Sequence, residues 1–103
     1  MPGYLCKFIP PRADFLSTMT PDEKIWMGQH GAYLDEMTSR GLVVAHGPVI
    51  DPTGSYGVSL WQIDAGQDIA ALTGEDPIIR NGVGHYDHFP MIHLRSRDQA
   101  AVR

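Results

Sequence analysis

The stretch YLCKFI over 4–9 is short, aromatic and apolar, and Pro10-Pro11 closes it. Neither proline can donate a ladder hydrogen bond, so a first strand is expected, followed by a loop over PPRADFLSTM. From Thr20 the period becomes helical. Thr20 is a cap candidate, Pro21 suits the first helical position, and Glu23 completes a capping box. Asp22 and Glu23 lie where the helix dipole favours negative charge. Trp26, His30, Tyr33 and Met37 share one helical face, and Gly41 ends the helix. LVVAHGPVI over 42–50 and YGVSLWQI over 56–63 are apolar runs separated by the turn-forming DPTGS, which predicts a hairpin. DAGQDIAALTGED over 64–76 predicts a short helix ending near Gly74, PIIRNGVG a loop, and 85–94 a last strand.

The order β-α-β-β-α-β predicts an α+β, ferredoxin-like fold: a four-stranded antiparallel sheet with two helices on one face. One domain is expected over 1–95, with a polar tail over 96–103. The strands do not alternate between apolar and polar. In 42–49, Leu42, Val44, His46 and Pro48 form one set and Val43, Ala45, Gly47 and Val49 the other. In 56–63, Tyr56, Val58 and Leu60 oppose Trp61 and Ile63. Strands apolar on both sides are covered on both sides. Two helices cover one face only, so the other is expected to meet a second copy of the chain, giving a homodimer with sheets packed face to face.

Composition narrows the function classes. The 103 residues suit one compact domain, and 43% apolar content is that of a globular protein. A net charge of −4 without a Lys/Arg cluster argues against nucleic acid as a partner. Cys6 is the single cysteine; it cannot form an intrachain disulfide and fits a reducing compartment. No apolar run reaches the roughly 20 residues that span a bilayer, and the N-terminal stretch lacks the pattern of a secretory leader. A cytoplasmic protein with no membrane partner is the expectation.

GHYDHFPMIHL over 84–94 carries His85, His88 and His93. On a regular strand His88 points opposite to the other two, and His85 and His93 would lie about 27 Å apart. Metal ligands must converge within about 2.0–2.2 Å of one ion, so no metal site is expected here. His88 and His46 read as packing histidines. His30 is the better candidate for chemistry, because it lies between Trp26 and Tyr33 on the helix face expected to meet the sheet. A desolvated imidazole needs a polar partner, and the nearest in type is Asp76 of EDP. Such a pair orients the ring and lets it act as a general base, although a lone core histidine and a turn aspartate are the plainer readings of each residue. Arg12 could bind an anionic group through its planar fork, or simply be solvated. Ser59 lacks a nucleophile-elbow motif, and Cys6 reads as buried and inert. No phosphate loop, Rossmann glycine pattern, zinc motif or flavin signature is present, so no cofactor is expected.

Taken together, TMTPDEKIWMGQHGAYLDEMTSRGLVVAHGPVIDPTGSYGVSLWQI and EDPIIRNGVGHYDHFPM resemble the YCII-related (YciI-like) family over about residues 4–92. The specific pieces are H-x-x-Y-L at His30, the GPVIDPTGSYG hairpin, and the EDP stretch at Asp76. The resemblance implies a dimeric α/β barrel, in which two ferredoxin-like units pair through their sheets. It also implies a His–Asp pair in a pocket, falling here on His30 and Asp76. One type of relative eliminates chloride from a chlorinated hydroxyhydroquinone. The function expected is therefore cofactor-independent acid–base chemistry, of lyase or isomerase type, on a small cyclic or aromatic compound. In that reading Trp26, Tyr33, Trp61 and Tyr86 wall the pocket and Arg12 anchors a substituent. The alternative is a non-enzymatic small-molecule-binding or regulatory accessory module.

Overall fold

The computed structural model describes residues 1–97. The tail expected over 96–103 lies outside the described residues from position 98 on. Eight elements follow one another: β1 (Gly3–Ile9), α1 (Phe15–Thr18), α2 (Pro21–Ser39), β2 (Val43–Val49), β3 (Tyr56–Gln62), α3 (Ile69–Gly74), α4 (Pro77–Arg80) and β4 (His85–Met91). The sheet order is β2-β3-β1-β4, with every neighbouring pair antiparallel. This is the ferredoxin-like α+β fold. Two short helices, α1 and α4, occupy stretches where the sequence predicts loops, and β4 stops at Met91, short of the expected residue 94.

The capping box forms as the residue pattern predicts. Thr20 Oγ1 accepts from the Glu23 amide at 3.1 Å, and Glu23 Oε1 accepts from the Thr20 amide at 2.9 Å. Gly41, at φ +80°, turns the chain out of α2 in a left-handed conformation that a side chain would resist. The buried stripe of α2, however, is Glu23, His30, Leu34 and Met37, whereas Trp26 and Tyr33 are only half-buried at its edge.

Register assigns the faces of the sheet. Cys6 pairs with Ser59 and His88, and Phe8 pairs with Gly57 and Tyr86, so these side chains share the helix-covered face. On β2 the alternation breaks. Val43 opposes Trp61 while Ala45 opposes Leu60, so Val44 is an extra residue in a β-bulge. The two alternating sets expected on β2 are therefore wrong across this point: Val43 and His46 lie on the same face. The core beneath the helices has two parts. One gathers Cys6, Leu34, Met37, Val43, Trp61, Ile63 and Ile69; the other gathers Phe8, Phe15, Ile78 and Val83. On the uncovered face Leu5, Val49, Val58 and Leu60 are half-buried and Phe89 is exposed. Among the described residues no helix is long and apolar enough to cross a membrane.

Candidate functional site

His30 projects from the middle of α2 toward the sheet and packs against Phe8, with ring centroids 5.0 Å apart. Its Nδ1 lies 2.6 Å from Asp76 Oδ2. Asp76 is fully buried and caps α4: its Oδ1 accepts from the Ile78 amide at 3.1 Å, and Pro77 takes the first helical turn. The pattern Asp76-Pro77 repeats the cap-and-proline signal of Thr20-Pro21, so α4 was legible by the same rule that finds α2. Tyr86 on β4 donates its hydroxyl to Asp76 Oδ2 at 2.7 Å. Burial, then the Asp76 charge and this donated bond, hold the Tyr86 phenol above its ordinary value, so it remains a donor at neutral pH.

Three donors thus converge on one carboxylate. As a carboxylate Asp76 can only accept, which places the proton of a neutral His30 on Nδ1 and makes Nε2 the lone-pair nitrogen. Nε2 has no protein partner among the described residues and is not sealed from solvent-sized space. It faces Gly57, where an added Cβ would stand 3.9 Å away. The missing side chain at Gly57 keeps that approach open.

The space reached by Nε2 is a cavity of ≈ 250 Å³ between α2 and the sheet. Its walls are apolar, with Phe8, Phe15, Met27, Leu34 and Pro48 among them, and its polar side chains include His30, His46, Ser59 and Tyr86. A cavity of about 150 Å³ suffices for benzene, so this one is sized for a single substituted ring. Ser59 Oγ accepts from Trp61 Nε1 at 2.9 Å, which leaves its hydroxyl proton to give elsewhere.

Of the residues expected at the site, the structure brings His30, Asp76 and Tyr86 together. It takes Arg12, Trp26, Tyr33 and Trp61 elsewhere. Arg12 binds Glu23 through both terminal nitrogens, at 3.0 and 2.7 Å, and Thr18 through Nε and Nη2. That ion pair fastens the loop carrying α1 onto the start of α2. Trp61 is wholly buried in the core, and Trp26 packs against the cluster of Phe8, Phe15, Ile78 and Val83. Tyr33 gives its hydroxyl to the Leu72 carbonyl. The sequence reading missed the apolar walls Phe15 and Met27, and it missed His46 as a cavity residue. Of the strand histidines, His88 lies under the helices, 2.8 Å from Thr73 Oγ1, and His85 pairs across register on the opposite face. Burial pushes the Cys6 thiol up to about 12, so it stays an unreactive thiol.

No family model matches the chain, and no curated protein does. Among solved structures it is similar to 5-chloro-2-hydroxyhydroquinone dehydrochlorinase (TftG) from Burkholderia phenoliruptrix AC1100, in complex with 2,5-dihydroxybenzoquinone. The TM-score is 0.64 at 10% identity, over 93% of this chain and 97% of that one. SnoaB, a cofactor-independent oxygenase from Streptomyces nogalater, matches at TM-score 0.46 and 12% identity, over 93% of this chain and 95% of that one. The likeness to the dehydrochlorinase is one of fold, and it covers nearly the full length of both chains.

Proposed function

We propose that the chain is a cofactor-independent acid–base enzyme, of lyase or isomerase type, for a small cyclic or aromatic compound bearing oxygen substituents. The carrying observation is the chain of contacts from the buried Asp76, through His30 Nδ1, to a free Nε2 in a ring-sized cavity. Nε2 is the base: it accepts a proton from a C–H or O–H of the bound ring. Asp76 fixes the tautomer and stabilises the imidazolium that results. Tyr86 helps hold the carboxylate. Proton transfer of this kind requires only the imidazole and its carboxylate. That a dehydrochlorinase of the same fold binds a single oxygenated ring supports the substrate class. The likeness to YCII-related proteins in sequence supports the His30–Asp76 assignment.

We further infer a homodimer through the uncovered sheet face. Leu5, Val49, Val58, Leu60 and Phe89 form an apolar patch on that face beside Lys7 and Asp87, and a second sheet would remove the patch from water.

The test is an NMR ligand screen of single-ring hydroxy and oxo compounds, followed by turnover assays on the binders. His30→Asn should keep the fold and abolish turnover. Gly57→Ala should keep the fold and weaken binding, since its methyl makes only ordinary contacts with Phe8 and His30. Binding without turnover in the wild type would replace the enzyme by a ligand-binding module; no binding at all would remove both.

A further inference from the structure

His46 enters the cavity from the edge strand β2, on the far side of β3 from Tyr86. Its Nε2 lies 2.8 Å from Asp35 Oδ1 on α2. The cavity therefore holds two imidazoles, each turned by an aspartate. The two differ in setting. Asp76 is fully buried, whereas the Asp35 side chain is 76% exposed and that of His46 is 22% exposed. The first pair stands deep, against Phe8 and Tyr86, and the second at the outer edge. With Nε2 engaged by Asp35, Nδ1 is the nitrogen of His46 that remains, and no described residue bonds it.

The spacing follows from the register. His46 opposes Ser59, and Pro48 opposes Gly57, beside which His30 Nε2 stands. Two residues along a strand and one step across it give roughly 8 Å in the plane of the sheet. A six-membered ring with a substituent at each end covers that distance. Ser59, opposite His46 in register, is the neighbouring polar side chain, but it is buried and its oxygen already accepts from Trp61 Nε1. The walls around it are mainly apolar, so an oxygen at the outer end of a ligand has few other groups to meet.

We propose that His46, oriented by Asp35, is the specificity-determining contact for an oxygen substituent at the end of the ligand opposite His30. The ligand class is a single ring with oxygen on both ends. The inference rests on the reading of this cavity as the ligand site, and it adds to that reading which rings are selected. His46 takes part by hydrogen bonding to the ring's distal oxygen, and no covalent step is involved.

The experiment titrates phenol and hydroquinone into the full chain under argon, following amide shifts by NMR. The wild type should bind hydroquinone about ten-fold more tightly than phenol, the size of one net hydrogen bond. His46→Leu should erase that preference, read as the ratio of the two affinities within the one variant, while His46→Gln should restore part of it. Asp35→Asn should weaken the preference without removing it, because the ring stays and loses only its orienting partner. Equal binding of the two probes by the wild type, or a preference that survives in His46→Leu, would overturn the role of His46 and leave the cavity as a ligand site. Failure of both probes to bind the wild type would remove the cavity reading and this proposal with it.

Discussion

Replacing Asp76 by asparagine changes almost no volume and removes one charge, yet it sets three donors against a group that can no longer accept from all of them. His30 Nδ1 and the Tyr86 hydroxyl meet Oδ2, and the Ile78 amide meets Oδ1. An amide has one oxygen. If that oxygen keeps the Ile78 amide, the NH2 group faces His30 and Tyr86. If it turns to His30 and Tyr86, the helix cap is lost and NH2 faces N–H. While the His30 proton stays on Nδ1, either way at least one buried donor opposes a donor, at a cost of about 1–3 kcal/mol. For a domain of this size that lowers the melting temperature by roughly 4–20 °C. In the first orientation His30 relieves the conflict by moving its proton to Nε2, which turns the free nitrogen from acceptor to donor. A base held by a carboxylate can lose about four orders of magnitude in rate when that carboxylate becomes an amide. Two-bond ¹⁵N couplings of the imidazole read the tautomer directly. The wild type should show protonated Nδ1 and bare Nε2, and Asp76→Asn should shift toward protonated Nε2. The same tautomer in both proteins, together with melting points within about 1 °C, would refute the three-donor arrangement.

Two further outcomes are expected. The hydrogen bond from Arg12, and after it the Thr20 amide, pulls the Glu23 carboxyl from an ordinary 4.5 to about 2. Its folded value lies below its unfolded one, so its contribution to stability is complete above about pH 4.5 and is lost as pH falls through about 2. Acid unfolding monitored by circular dichroism should therefore be flatter across that window in Glu23→Gln, and an unchanged profile would show that the pair does not persist in solution. Leu60→Lys places a charge on the uncovered sheet face and should convert the proposed dimer to the 11.4 kDa monomer by light scattering. A wild type that is already monomeric at every concentration would end the sheet-pairing reading.

The order of elements was legible because proline, glycine and capping residues mark it: Thr20-Pro21 opens α2, Gly41 ends it, and the DPTGS turn joins β2 to β3. The face of α2 was harder to read. The periodicity favoured Trp26, His30, Tyr33 and Met37, of which His30 and Met37 are buried and Trp26 and Tyr33 only half-buried, and the helix also buries Glu23, whose charge is met by Arg12 from a loop eleven residues earlier. That pairing is a tertiary fact with no local periodic signal. For the same reason Arg12 looked like a free anchor for a ligand. Trp61 looked like a pocket wall because it is aromatic on a central strand; burial against Cys6 and Met37 takes it into the core instead. His30 and Asp76 could be nominated because a histidine on a core-facing helix needs a partner, but 46 residues separate them and the contact required the fold. His46 was hidden by the bulge, since strand parity alone assigns it no consistent side.

That single extra residue has an evolutionary meaning. Were Val44 absent, Val43 opposite Trp61 and Ala45 opposite Leu60 would simply become consecutive, and His46 would still face the helices opposite Ser59. Were Val44 kept but paired regularly, strict alternation from Val43 would turn Ala45 and Gly47 toward the helices and send His46 to the other side of the sheet. Position 44 is therefore a place where the strand can lose one residue without any other side chain changing face. Descendants differing there by one codon would keep the same cavity walls and differ in the local twist of an edge strand.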